Sequence, residues 1–208
     1  IIYMSENIMT KKLKILAAGD LHGDFNVAKK LALKAKKVKV DLVVLAGDIY
    51  GYDGEGDGIL EPFVKSGQKV VFVPGNLDFD EDIENLSRMG KNIHNYYVSY
   101  GGVGIVGIGS PNWKLNLDRK DLDSIKRNFS QMKAKKRILV SHLHPEGTNV
   151  ENLGFAGGTG DDIVRHAALE FKPDLLIAAH IHEGEGIEDR IGKTRVVQVG
   201  KTGKIIEI

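Results

Sequence analysis

Residues 13–24 read LKILAAGDLHGD, an apolar run that ends without a spacer in Asp20, His22 and Asp24. The run has the length and character of a strand buried on both faces. Carboxylates and imidazoles are costly beside a core unless something compensates them. The compensation has to come from elsewhere in the chain.

Outward from this stretch, apolar runs alternate with amphipathic ones: NVAKKLALKAKK (26–37), DLVVLA (41–46), ILEPFVKSG (59–67) and KVVFVP (69–74). Such alternation is the βαβ signature of a parallel sheet. From residue 93 the pattern changes. NIHNYYVSY and VGIVGIG, joined by Gly101 and Gly102, predict an antiparallel hairpin. Helical stretches then lead to the strands KRILVSH and DLLIAAH, and GIEDRIG, TRVVQVG and KIIEI close the chain as short strands. These are more strands than one α/β sheet needs. The expected fold class is α/β, with two mixed β-sheets packed face to face and helices outside.

The 208 residues, 42% hydrophobic and 27% charged, fit one domain, expected over 11–208. Met4 and Met9 both follow an initial isoleucine, so residues 1–10 are expected to be a leader outside the fold. A formal net charge of +1 gives no strong nucleic-acid signal, and the lysine-rich stretch 29–39 reads as a solvated helix face. The absence of cysteine excludes disulfides, thiolate metal sites and cysteine nucleophiles. No basic region precedes an apolar segment of signal-peptide length, and LVVLA and LLIAA are too short to span a bilayer. A soluble cytoplasmic protein without a membrane partner is expected.

Three motif matches fail in context. GVGIVG (102–107) resembles a dinucleotide fingerprint, but that motif must open a helix, and Gly107, Gly109 and Pro111 forbid one. GKT at Gly192 and at Gly200 lacks the upstream glycine of a phosphate loop, since Ile187 and Arg195 stand there. DGEGDG (53–58) begins like a calcium loop, but its twelfth position is Val64, so it is read as a flexible acidic loop.

One constellation survives. Strands that look buried end in Asp20 and His22, in Asp48, in Asn76 and Asp78, in His142, and in His180 and His182. Carboxyl ends of strands are where α/β sheets place chemistry. A lone histidine there is an ordinary hydrogen-bonding residue, but five strands ending alike point to one purpose. Imidazole and carboxylate suit first-row divalent metals, and these donors exceed what one ion needs. Two metals require a carboxylate between them, and Asp48 is the candidate bridge. Asp-x-His and His-x-His put each pair on one side of an extended segment.

The order Asp-x-His, Gly-Asp, Gly-Asn-x-Asp, His and His-x-His resembles the calcineurin-like metallophosphoesterase superfamily, in its small single-domain prokaryotic branch. The resemblance implies a four-layer αββα sandwich. It implies that Asp20, His22 and His182 hold one divalent ion and Asn76, His142 and His180 a second, with Asp48 shared. The two ions would be manganese, iron, nickel, cobalt or zinc. The implied reaction is hydrolysis of a small phosphate mono- or diester by metal-activated hydroxide, with Asp48 and Asn76 at the catalytic centre. A scaffold of the kind the superfamily's retromer subunit provides, and a nuclease, are the rival readings. His144 could contact the phosphate, act as an acid, or simply stabilise its loop.

Two features depart from the family pattern: Leu77 stands where a phosphate-contacting histidine is usual, and the loop QVGKTG (198–203) lacks the family's Asn-Pro-Gly-Ser type ending. Ala179 in place of a glycine is a minor change. Asp78 is either the family's aspartate or the cap of the next helix. Asp24 or Asn26 is expected to cap the first helix. The glycine-rich loop 145–160 is assigned to substrate contact or subunit pairing, leaving a homo-oligomer open.

Overall fold

The computed structural model describes residues 12–154 and 157–208. The expected leader, and Phe155 and Ala156 of the glycine-rich loop, lie outside them. Strands β1 (Lys14–Ala18), β2 (Leu42–Ala46), β3 (Val70–Val73) and β4 (Lys91–Asn92) run parallel, connected through helices α1 (Phe25–Val38), α2 (Glu61–Lys65) and α3 (Asp80–Ser87). Helix α1 begins where the Asp24 carboxylate accepts the backbone N–H groups of Asn26 and Val27, as expected of a cap.

The chain then crosses to a second sheet. Strands β5 (Tyr97–Tyr100) and β6 (Val103–Ile108) form the predicted hairpin, Tyr100 opposite Val103. Gly101 and Gly102 both take a positive φ at its turn, the geometry that matches the twist of the strands. Helix α4 (Arg119–Gln131) leads to β7 (Lys136–Ser141), and α5 (Asp162–Phe171) to β8 (Leu175–Ala178). Strands β9 (Glu188–Ile191) and β10 (Thr194–Gln198) complete this sheet in the order β5-β6-β7-β8-β10-β9. The last strand, β11 (Lys204–Glu207), returns to the first sheet and pairs antiparallel with β1. Both sheets are mixed, as expected.

Alternation along the strands assigns the layers. Ile15, Ala17, Val44, Ala46, Val71 and Val73 of the first sheet meet Ile105, Ile138, Val140, Ile177 and Val197 of the second in one buried cluster. Their sequence neighbours Leu16, Val43, Leu45 and Phe72 point the other way, onto Leu31, Ala35, Phe63 and Leu86 of α1, α2 and α3. On the far side Val106, Leu139, Leu176 and Val196 pack against Ile125, Phe129, Val164 and Ala168 of α4 and α5. Helix, sheet, sheet and helix follow in that order. No described helix is long and apolar enough to cross a membrane.

One polar contact ties the two sheets at their edge. Glu188 of β9 accepts from the Arg195 guanidinium of β10 at 2.8 Å and pairs with Lys204 of β11. The hydrogen bond from Arg195, then that from Lys204, pulls the Glu188 carboxyl down to about 2. A depressed acid stabilises the fold above its unfolded pKa and loses that contribution as pH falls towards the folded one. Glu188→Gln should therefore lower the melting temperature at pH 7, and the gap to the parent chain should shrink between about pH 4.5 and pH 3. The effect should be small, because the group is partly solvated. A gap that widens on acidification contradicts the assignment.

Candidate metal centre

The carboxyl ends of β1, β2, β3, β7 and β8 meet along one edge of the sandwich. Asp20 follows β1 and its N–H donates to the Gly47 carbonyl beyond β2. The N–H of His22 donates to the carbonyl of Asp48 at 3.0 Å, so the first two motifs are laced together through their backbones. Asp20 in turn accepts the backbone N–H of His180 at 3.2 Å.

The side chains fall into two groups. Asp20, His22 and His182 offer ligand atoms mutually within 4.8 Å, and so do Asp48, His142 and His180. In the first group the Nε2 atoms of His22 and His182 face each other at 2.8 Å. In the second, His142 Nε2 lies 3.0 Å from Asn76 Oδ1 and 3.5 Å from Asp48 Oδ1. The structure thus places Asp20, His22 and His182 in one group and Asp48, His142 and His180 in another, with Asn76 beside His142.

The donor chemistry tests whether cations fit. His142 Nδ1 must donate, because its partner at 2.8 Å is the carbonyl of Ala46. Burial lowers the His142 pKa to about 4, which leaves the ring neutral and its Nε2 a bare lone pair. That lone pair faces two oxygens that are also acceptors. Three such atoms facing one another need positive charge among them, as a proton or as a cation. The acids tell the same story: burial, then the neighbouring Asp48, raises the Asp20 carboxyl well above its ordinary range, and burial raises that of Asp48. Divalent ions fit this donor set.

The backbone is bent to suit it. Asp20, His22, Asp48 and His180 all take a positive φ, at 53°, 48°, 49° and 76°. Non-glycine residues rarely do so, and such strain collects at functional sites. Glycine is demanded beside them: a Cβ on Gly47 would fall 2.4 Å from His142 Nδ1, and one on Gly75 would fall 2.1 Å from Asp48 Oδ1. Ala179 keeps a negative φ, so its methyl is tolerated, and it packs into the space that Gly19 leaves open.

The remaining expected residues sort differently. Asp78 is not a helix cap. It is fully buried and accepts the backbone N–H groups of Gly75 at 2.8 Å, Tyr50 at 2.9 Å and Ile49 at 3.0 Å. It therefore ties the loop after β2 to the loop after β3, and Asp82 accepts from the Phe79 backbone at the start of α3 instead. His144 is fully buried and outside both groups, with Nδ1 unpartnered and Nε2 3.5 Å from Thr159 Oγ1. Burial lowers its pKa. Leu77 is nearly buried, and its backbone N–H donates to Asp48 Oδ1 at 2.9 Å. The acidic loop 53–58 is anchored, not loose, since Tyr50 donates through its hydroxyl to Asp57 and Gly51 donates to the Glu55 carbonyl.

Two contributors were missed in the sequence. Buried Gln198, at the end of β10, donates from Nε2 to the carbonyls of Ala179 and Ile181 and so shapes the His180–His182 segment. A lone glutamine in the run RVVQVG was the signal. Tyr52 lays its ring parallel to that of His22, with centroids 5.8 Å apart.

With this geometry in view, the comparisons agree. Residues 13–184 match the calcineurin-like phosphoesterase family. The chain belongs to that family. An uncharacterized protein of Methanocaldococcus jannaschii is 30% identical over 199 residues, covering 91% of this chain and 88% of the relative. Among solved structures, the TT1561 protein of Thermus thermophilus superposes with a TM-score of 0.69 at 16% identity, covering 94% of this chain and 99% of that one. A dimetal phosphatase of Danio rerio gives 0.64 at 13% identity, covering 92% and 88%. At these identities the structures speak for the fold alone, and the phosphoesterase shares the four-layer architecture with both.

Asp78→Ala should cost more than an ordinary buried substitution, because it orphans three buried N–H groups, each worth about 1–3 kcal/mol. Urea unfolding of the metal-free chain checks this. Unchanged stability would mean that Asp78 does not hold the two loops together.

Proposed function

We propose that the phosphoesterase uses two divalent ions to hydrolyse a small phosphate ester. Asp20, His22 and His182 would hold one ion, and Asn76, His142 and His180 the other, with Asp48 shared. The observation that carries the reading is the set of bare acceptors on His142, Asn76 and Asp48, facing one another beside a second set built alike. When bound, such ions supply Lewis-acid charge for the phosphoryl oxygens and lower the pKa of a water.

The protein's own part is positional. His142 is oriented by the Ala46 carbonyl, so that Nε2 rather than Nδ1 is presented. Asp48 is fixed through one oxygen by the Leu77 N–H. The His142 proton, at Nδ1, is committed to the Ala46 carbonyl. A scaffold without catalysis has no use for four strained donor residues, and the balanced charge gives a nuclease no support. The Danio rerio fold relative described as a dimetal phosphatase supports the two-ion count.

Asp48→Asn should bind fewer than two ions per chain and lose about 100-fold or more in turnover, because removing a shared charge weakens both sites. Metal analysis after dialysis against manganese or zinc measures this, alongside hydrolysis of p-nitrophenyl phosphate and its bis-ester. Two ions held with unchanged affinity would remove Asp48 from the bridge. Chelation should abolish turnover in the parent chain, and full activity after chelation would overturn the reading itself.

Leaving groups give a second test. Leu77 offers no proton, and a neutral, buried His144 is a poor acid, yet a positioned acid contributes about 10²–10⁴-fold for basic alkoxides. Rates should therefore fall steeply from p-nitrophenyl to phenyl to alkyl phosphates. A shallow series would return the acid role to His144.

A further inference from the structure

Three exposed large aromatic side chains lie on loops that carry or contact candidate ligands: Tyr52, Phe79 and Trp113. Tyr52 is accounted for by its parallel contact with the His22 ring. Trp113 has a ring contact of its own, with Phe79, but touches no candidate ligand through its ring. It is 58% exposed, although tryptophan is highly buried on average.

Trp113 is also held there against a conformational penalty. It and Asn112 are consecutive non-glycine residues at positive φ, 61° and 60°, where a bulky residue is an outlier. Four hydrogen bonds enforce the conformation. Ser110 N–H donates to the Pro74 carbonyl, Asn112 N–H to that of Asp78, and Trp113 N–H to that of Asn76 at 2.8 Å. The Asn112 side chain donates to Asp80 at 3.0 Å. The indole is thus mounted on the loop that carries Asn76. Phe79 packs against it edge-on, with centroids 5.8 Å apart at 68°, which braces the ring and leaves it solvent-exposed.

Strained backbone that keeps a large flat ring in solvent, in fixed register with a proposed metal ligand, suits a ligand clamp. We infer that Trp113 is a stacking platform, and that the substrate carries a planar aromatic group, a nucleobase or an aryl ring, beside its phosphate. Every nucleobase and aryl ring has a π-face, so stacking selects flatness, whereas the metal centre selects the phosphate. The inference rests on the phosphoesterase reading above.

Trp113 is the single tryptophan of the chain, so its emission reports directly. The manganese-loaded 208-residue chain would be titrated with three phosphonates, none of them an ester: benzylphosphonate, an adenine-bearing acyclic nucleoside phosphonate, and butylphosphonate. The aromatic ligands should change the Trp113 emission and bind about 5- to 100-fold more tightly than butylphosphonate, the range that base–aromatic stacking gives. A preference for the adenine compound over benzylphosphonate assigns a nucleobase, and equal affinity assigns any aryl group. By calorimetry, Trp113→Ala should erase the aromatic advantage while leaving butylphosphonate binding within about twofold, and Trp113→Phe should keep most of the advantage. That selective loss separates stacking from a structural role. The inference is overturned if butylphosphonate binds as well as the aromatic ligands, if their binding leaves the emission unchanged, or if the emission shifts with protein concentration alone, which would make Trp113 an interface between copies. Failure of all three phosphonates to bind overturns the phosphoesterase reading, and the inference with it.

Discussion

The carboxylates of Asp20 and Asp48 are buried at the ends of adjacent parallel strands, and among the described residues no lysine or arginine pairs with either. Much of the surrounding architecture follows from keeping these charges there. Their loops are laced by backbone hydrogen bonds, their φ angles are strained, and the glycines beside them leave no room for a Cβ. An isolated buried carboxylate is so unfavourable that it would ordinarily take up a proton, unless cations replace the lost water. The site is a pair of charge holes against which the fold sets no ion pair, with Lys201 acting on Asp20 only from a distance.

The four-layer sandwich makes that arrangement structurally feasible. Strands of both sheets end at one edge, and the apolar layer between the sheets fixes their separation through residues such as Ala46, Val73, Val140 and Ile177. Asp78 then ties two loops of the first sheet with a single carboxylate, and His142 of the second sheet donates to the Ala46 carbonyl of the first. That last bond crosses the sandwich and sets a tautomer at the same time. Packing and ligand chemistry are thus coupled through one imidazole.

Much of this was legible in the sequence, for a physical reason. A strand buried on both faces has no ordinary use for Asp20, Asp48 or His142 at its end, so polar residues there stand out against a β-branched run. The element order and the Gly101–Gly102 turn were legible because period and turn chemistry are local. What failed to show was what depends on distant backbone. Asp78 stands just before a helix, so the sequence left a cap open beside the family's aspartate, and its partners are N–H groups up to 29 residues away. Gln198 supports carbonyls 17 and 19 residues distant. Trp113 follows a proline in a loop without periodicity, and only the backbone bond to Asn76 reveals its register with the centre. His144 showed as a histidine two residues from His142, yet the fold buries it outside both groups.

Anomalous diffraction from crystals grown with manganese tests the central claim most directly. Two peaks about 3.5–4 Å apart are predicted, one among Asp20, His22 and His182 and the other among Asn76, His142 and His180, with the Asp48 carboxylate touching both. An empty centre, or peaks only at surface carboxylates, would contradict the account.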